Sequence, residues 1–548
     1  MQFLPSIKEL ILAYAFTATT LENSTTDFQS RCLSFQPLNF ISNASIRVQE
    51  YVPAGTVITE AHHEPDCLTE ASQTVSVNMC RIAMNITTSP SSFIVFEAWF
   101  PDAYNDRLFT VGTSGMGGCI RYIDLDFGVG HSFATVASNN GHEGNRAEVF
   151  YNHSEVLEDF SWRALHTTTQ AGKRLVPEFY SNTINKSYFS GCSGAGRQGI
   201  KAAEMWPEDY DGIIVGAPAE NYNNMQSWVL SFYGKTGDKS SPDFIDAGTW
   251  TGLIHTEILN QCDLMDGVAD GIIEDPTLCN FRPEALICEG GKIESCLTSA
   301  QVEIVRNVFS PLYGYDGKLV FPAMQPGSEE MAVSKLYTGV PYDYAFDWFR
   351  YVVYADPNYT TSEFGVSSMA KAASLDPFNI SSSPDTLSPF VSSPHNGKMI
   401  LWHGQADQEI TSFESERWYN KLSRGMNLTS SSMDSFIRFF RISGVWHCRG
   451  GAGAWMIGQE TEGEPIYDRK NSVLKALVDW VEEGVPPETI TGTKFVNDDP
   501  NQGIERTRRH CRYPYRNTYL GNGLDGNDAD SWECRMPGQG TVVGSVVP

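Results

Sequence analysis

Residues 186–207 read KSYFSGCSGAGRQGIKAAEMWP. A β-prone run, Lys186-Ser187-Tyr188-Phe189-Ser190, breaks into Gly191-Cys192-Ser193-Gly194-Ala195-Gly196, and a helix-prone stretch follows up to Pro207. Strand, tight glycine turn with a central serine, then helix is the local order that lifts a serine hydroxyl clear of its neighbours as a nucleophile. Two features depart from the G-x-S-x-G form: Ala195 takes the place of the second glycine, and Cys192 stands directly before the serine.

A nucleophilic serine needs a base, and the base needs an acid to orient it. Working outward, Asp407 lies in ILWHGQADQEI, just past the apolar run MILW, and His447 lies in ISGVWHCRG, past IRFFRI. The order Ser193, Asp407, His447 is the chain order of this triad in α/β-hydrolases. Cys448 follows His447 as Cys192 precedes Ser193, so a Cys192–Cys448 disulfide would hold the serine and imidazole loops together, with Cα atoms ~5.5 Å apart. Taken singly, each feature has a plainer reading: a glycine turn, a structural histidine, an aspartate closing a loop. Their order, their place after strands and the two flanking cysteines favour catalysis. Gly194 is expected to supply one oxyanion N–H, and Gly115 or Ser114 in VGTSGMGGC the other.

The surrounding chain fits the same architecture. SSFIVFEAWFP, RLFTVGTSG and SFATVASNNG read as buried strands, SWRALHTTTQAGKRLV as a helix, and DGIIVGAPAE as a further strand. The alternation resumes near residue 398 with KMILWHG, a longer strand in SFIRFFRISGVWHC, and a helix in NSVLKALVDWVEEG that stops at Gly484. Strands separated by helices indicate a mostly parallel sheet with helices on both faces. Residues 220–395 lack the alternation, are rich in Ser, Pro, Gly, Asn and aromatics, and read as a large inserted lid. The catalytic domain is then 19–219 and 396–548.

Composition restricts the setting. A formal charge of −27 over 548 residues argues against nucleic acid or an anionic membrane surface as partner. Twelve cysteines, spread along the chain without a C-x-x-C pair, favour disulfides over zinc. Eight glycosylation sequons, at Asn23, Asn43, Asn85, Asn152, Asn185, Asn358, Asn379 and Asn427, point to the same oxidising, secretory route. LILAYAFTA supports a signal peptide over residues 1–18, although Lys8-Glu9 is not a clean positive flank. No later apolar run is long enough to span a bilayer. The expectation is a secreted, extracellular protein outside any membrane.

A second cluster stands apart from the triad. In CDLMDGVADGIIEDPTLC, Asp263, Asp266 and Asp270 fall within eight residues between Cys262 and Cys279. Crowded carboxylates on a flexible loop suit calcium, though positions 3 and 5 are Met265 and Gly267, so the loop is no EF-hand. Carbonyls of Val268 and Ile272 would complete the set, and a Cys262–Cys279 bridge would close the loop. The plainer reading is a solvated acidic loop.

GCSGAGRQG, HGQADQEI, SGVWHC, CDLMDGVADGII, WFRYVVYADPNY and the tail CRYPYRNTYLGNG…DADSWEC together resemble the fungal tannase and feruloyl esterase family over nearly the whole chain after the signal segment. The resemblance implies an α/β-hydrolase core, a lid carrying calcium, and the triad Ser193, Asp407 and His447. The implied calcium ligands are Asp263, Asp266, Val268, Asp270 and Ile272. It also implies the bridges Cys32–Cys80, Cys67–Cys119, Cys192–Cys448, Cys262–Cys279, Cys288–Cys296 and Cys511–Cys534. The chain departs from the family's usual Cys-Ser-Thr-Gly-Gly-Arg, which puts substrate preference rather than chemistry in question.

The expected activity is hydrolysis of aromatic acid esters by a serine carboxylesterase, on feruloyl-type (hydroxycinnamoyl) esters of plant cell wall polysaccharides. The tail and the WFRYVVYADPNY segment look closer to the feruloyl branch. A tannase-like enzyme acting on galloyl esters, an acyltransferase with the same triad, and a non-catalytic binding protein are the alternatives. Tyr222, Trp228, Phe232, Trp348 and Phe349 could line an acyl pocket, but each reads better as lid core.

Overall fold

In a computed structural model of the chain, the described residues are 27–537 without 61–62, 68–69, 291–293 and 461–462. The signal segment 1–18 and Asn23 lie outside them. The frame is a nine-stranded sheet. In chain order its strands are β1 (Ala44–Val52), β2 (Met79–Ser89), β3 (Ser92–Pro101), β4 (Arg107–Val111), β5 (Ala134–Ser138), β6 (Lys186–Cys192), β7 (Gly212–Gly216), β8 (Lys398–Gly404) and β9 (Ile437–Ile442). Their spatial order is β1-β2-β3-β5-β4-β6-β7-β8-β9. The first three join antiparallel. From β5 to β9 every pairing is parallel.

The parallel strands read as unbroken apolar runs because both faces are covered. Their alternate residues diverge: Tyr188, Ile214 and Ile400 pack on one face, with α1 (Tyr122–Gly130) and α6 (Val473–Glu483). Phe189, Ile213 and Leu401 pack on the other, with α3 (Gly194–Met205) and α5 (Ser412–Gly425). On that same face α2 (Ala164–Tyr180) covers Leu108 and Val136.

Three expectations change in detail. The strand before His447 is only Ile437–Ile442, because the chain turns at Gly444, whose φ is +63°. The edge strand β1 and its neighbour β2 went unread: β1 mixes apolar and polar residues and is mostly half exposed, so it shows no buried run. The tail, too, is ordered into hairpins, pairing Thr489–Phe495 with Ile504–Cys511 and Arg516–Tyr519 with Trp532–Arg535.

Among the described residues, 217–397 add no strand to the large sheet. They build their own core around α4 (Tyr222–Thr236), in which Trp228, Phe232, Trp250, Trp348 and Phe349 are fully buried. That core is continuous with Met116, Phe160 and Ile410 of the flanking segments, so the insertion is packed onto the sheet domain. The twelve cysteines form six disulfides, pairing as the family resemblance implies. Among the described residues no helix is long and apolar enough to cross a membrane.

Candidate active site

Ser193 sits between β6 and α3 with φ +64° and ψ −125°, a strained conformation for a residue with a side chain. Two backbone bonds hold it there: Ser193 N–H donates to Gly216 O at 2.9 Å, and Ala219 N–H donates to Ser193 O at 3.1 Å. The alanine at the variant position has a steric explanation. Its methyl lies where Gly191 and Gly112 leave room; a Cβ on either would come within 2.6 or 2.7 Å of Ala195 Cβ.

Asp407 and His447 arrive from the loops after β8 and β9, at the same carboxyl edge of the sheet as Ser193. Parallel neighbours bring their carboxyl ends to one side, which gathers residues far apart in sequence. His447 Nδ1 is 2.7 Å from Asp407 Oδ2, and its Nε2 is 2.8 Å from Ser193 Oγ. With Nδ1–H donating to the carboxylate, Nε2 is free to accept the serine proton. Gln408 Oε1 accepts from His447 N–H at 3.1 Å. The Cys192–Cys448 bridge spans 6.0 Å between Cα atoms and fastens the two loops.

The electrostatics follow from this arrangement. Burial alone would push the Asp407 carboxyl up, but His447 and His403 beside it hold it well below the usual carboxylate range. Burial would likewise lower His447, yet the carboxylates of Asp407 and Glu409 raise it to about 9. Asp407 therefore stabilises the imidazolium that forms when the serine gives up its proton.

On the opposite side of Ser193 lies the loop after β4. Gly115, with φ +65°, packs directly on Gly194: a Cβ at Gly194 would stand 2.9 Å from Gly115 O and 3.3 Å from Gly115 N. Asn145 Oδ1 accepts from Met116 N–H at 2.6 Å and fixes this loop from behind. The Ser114 hydroxyl is engaged elsewhere, donating to Cys192 O at 2.7 Å. Gly194 and Gly115 are thus packed against each other beside the serine.

Ser193 and His447 open into a cleft of about 270 Å³. Part of its wall is apolar or aromatic, formed by Tyr222, Met225, Val229, Tyr342, Tyr344 and Ile410. Another part is polar, with Arg121 paired to Asp124 and Glu460. Of the five lid aromatics singled out in the sequence, only Tyr222 reaches the cleft. The other four are core.

The aspartate-rich loop is held differently. Asp263 accepts from the backbone N–H groups of Asp270 and Gly271, Asp266 Oδ1 from Val268 N–H, and Asp270 Oδ1 from Ile272 N–H. Arg508 donates to Asp270 Oδ2 at 2.6 Å. Asp266 Oδ2 is buried without any hydrogen-bond partner. Among the described residues no three His, Cys, Asp or Glu side chains are gathered as a metal site. The donors on offer are nonetheless all hard oxygens, and the orphaned Asp266 oxygen is one a calcium ion would satisfy. The loop is remote from the triad in sequence yet adjacent in space: a Cβ on Gly444, in the turn leading to His447, would meet Ile272 Cγ2 at 3.0 Å.

Sequence reasoning passed over His403, Gln325 and Asn145. His403 was visible within the HGQADQEI motif, whereas Gln325 and Asn145 carried no local signal. Of the sequons, Asn43, Asn152, Asn185, Asn358, Asn379 and Asn427 are exposed, and Asn85 is half-buried in β2, where it accepts from Arg47.

Known proteins share this frame. The family described as "Tannase and feruloyl esterase" matches residues 80–535. A probable feruloyl esterase B-2 of Aspergillus flavus is 49% identical over 491 residues, 89% of this chain and 94% of that protein. The crystal structure of feruloyl esterase B from Aspergillus oryzae superposes with a TM-score of 0.89 at 43% identity, covering 93% of this chain and 100% of that one. A tannin acyl hydrolase from Aspergillus niger shares the fold with a TM-score of 0.70 at 20% identity, over 92% of this chain and 94% of that one.

Proposed function

The chain belongs to the tannase and feruloyl esterase family, and from that premise we propose that it is a carboxylic ester hydrolase acting on feruloyl-type (hydroxycinnamoyl) esters through Ser193, His447 and Asp407. The observation that carries the reading is the unbroken hydrogen-bond chain from Asp407 through His447 to Ser193, opening on an aromatic-walled cleft. An aromatic acyl group suits that wall. The paired charges of Arg121, Asp124 and Glu460 suit a hydroxyl-rich alcohol such as a cell wall sugar.

In the first half-reaction, Ser193 Oγ bonds to the ester carbonyl carbon while its proton passes to His447 Nε2. The carbonyl π electrons move onto oxygen, where the N–H groups of Gly194 and Gly115 receive the charge. The intermediate collapses, the C–O bond to the alcohol breaks, and His447 returns its proton to the departing oxygen. Water then repeats the sequence on the acyl-serine, releasing the acid and restoring the hydroxyl. Asp407 remains ionised throughout.

The setting we propose is extracellular. The paired cysteines and the exposed sequons support export through an oxidising route. A calcium ion would be held by Asp263, Asp266 and Asp270 with the carbonyls of Val268 and Ile272, and its contribution would be structural. Its role is to neutralise the loop that braces the turn before His447.

Galloyl esters are the second reading, favoured by the tyrosine hydroxyls of Tyr342 and Tyr344 on the cleft wall, groups suited to phenolic substituents. Parallel hydrolysis of methyl ferulate and methyl gallate by the protein and its Ser193→Ala variant separates the two. Turnover of ferulate, abolished in the variant, is the expected result. Turnover of gallate alone moves the substrate to the tannase branch, and turnover of neither rejects the proposed substrate class.

A further inference from the structure

The buried histidine of the HGQADQEI motif has a task of its own. His403 is the penultimate residue of β8, four residues before Asp407, and both side chains are fully buried. His403 Nε2 lies 3.1 Å from Asp407 Oδ2 and 3.0 Å from Ile410 O. Both neighbours are acceptors, so Nε2 must carry the proton. The other ring nitrogen, Nδ1, is 2.8 Å from Ser415 Oγ on α5, and the serine hydroxyl can donate to it. The contacts fix a proton on Nε2 and pair Nδ1 with the serine hydroxyl.

This completes the surroundings of the triad acid. Asp407 Oδ1 accepts from Glu409 N–H at 2.8 Å and Ile410 N–H at 2.9 Å. Oδ2 accepts from His447 at 2.7 Å and from His403 at 3.1 Å. With two donors on each oxygen the carboxylate plane is fixed, and so is the lone pair aimed at His447. Remove His403, and Oδ2 keeps the catalytic imidazole as its single anchor inside a fully buried site. The same Nε2–H also reaches the carbonyl of Ile410, whose side chain lines the cleft.

We propose that His403 is a positioning residue of the triad, holding Asp407 in the orientation that places His447 against Ser193 and tying the acid to the cleft wall. The inference rests on the triad assigned above. Replacing a charge-assisted hydrogen bond of this kind costs about tenfold or more in the affected step. The effect falls on kcat, because His403 is not itself among the residues that line the cleft.

Three replacements separate positioning from plain packing. His403→Gln keeps an amide N–H close to the place of Nε2. His403→Asn puts its amide near Nδ1 and leaves Asp407 without its donor, and His403→Met removes the donor while keeping bulk. The readouts are the rate of Ser193 labelling by a fluorophosphonate, which is independent of ester preference, and kcat and KM on methyl ferulate with the melting temperature alongside. Expected are losses of about tenfold in labelling rate and kcat for Asn and Met, KM unchanged within about twofold, and recovery of most of the rate in Gln. Should the Met variant fail to fold, the Gln and Asn pair carries the comparison. Equal labelling in wild type, Gln and Asn overturns the inference, as do losses that follow melting temperature across all variants. Wild-type protein that is not labelled at Ser193, with Ser193→Ala as control, overturns the triad itself.

Discussion

Replacing Asp407 with asparagine tests the electrostatic core of the site. In the protein the His447 imidazole is raised from 6.5 to about 9, despite burial that works in the opposite direction. That rise corresponds to ~3 kcal/mol in favour of the imidazolium. It is a lower bound on the attraction of the carboxylates, since they must first overcome desolvation. Neutral imidazole is the form that accepts the serine proton, so kcat/KM declines as pH falls through the His447 value, and the wild-type acid limb lies well above 6.5. Asparagine removes the main charge and leaves the burial. With Glu409 as the remaining raising charge, His447 moves down from about 9 and the limb moves to lower pH by about one unit or more. Over the same change the plateau drops by ~10⁴-fold, because nothing selects the Nδ1–H tautomer or stabilises the imidazolium. The assay is initial-rate hydrolysis of methyl ferulate at low substrate concentration, from about pH 5 to about pH 10, for both proteins. An acid limb that stays in place or shifts upward in the variant would refute the reasoning, since the titrating group would then not be an imidazole paired with Asp407.

Three further outcomes are expected. Joint replacement of Cys192 and Cys448 by alanine opens a ring of 256 residues' separation, with up to about 5 kcal/mol of stabilisation at stake; calorimetry should give a lower melting temperature and kinetics a lower kcat, and an unchanged kcat would show that the bridge does not position the base. Gly115→Val puts a side chain at φ +65° with its Cβ 2.4 Å from Asn145 Oδ1; displacing that loop should lower kcat about 10²-fold with KM little changed, and wild-type kcat would remove Gly115 from the oxyanion site. Dialysis against a chelator should lower the melting temperature and release calcium measurable by elemental analysis, with Asp266→Asn already lowered and insensitive; protein that carries no calcium as purified and does not respond to added calcium would exclude the metal.

The parts of this site that were legible in the sequence are those written in local patterns. The serine elbow needs glycines at fixed places, and the strands that feed Asp407 and His447 are short apolar runs followed by loop residues. Edge strand β1, ASIRVQEYV, alternates only from Ala44 to Gln49 and its burial does not follow the alternation, the register shifting between Ile46 and Val48, so it carries no apolar run to mark it. The shortness of β9 was hidden as well: the turn at Gly444 depends on a close approach to Gly453 N, at 2.8 Å from an added Cβ, and to Ile272 of the lid. Close approach between distant segments has no signature in either segment alone.

The same distinction governs what makes the site work. Loops at the carboxyl ends of separate strands would move independently unless something cross-links them, and the strained turn at Ser193 gives the nucleophile no intrinsic reason to meet a base 254 residues away. The ties include the Cys192–Cys448 bridge between the serine and histidine loops, the bond from His447 N–H to Gln408 between the β8 and β9 loops, the His403 bond within the Asp407 loop, and the lid residue Gln325, whose amide donates to Asp407 O at 2.5 Å. Only the first could be read in advance, because a pair of cysteines abutting two catalytic residues is rare enough to mean something by itself. A buried histidine or glutamine is common, and its role exists only in the partner it reaches. Gln325 is the sharper case: fully buried and far from the triad in sequence, it lets the lid hold the backbone of the catalytic acid from outside the sheet domain. The insertion therefore does more than roof the cleft, since one of the ties that fix the triad passes through it.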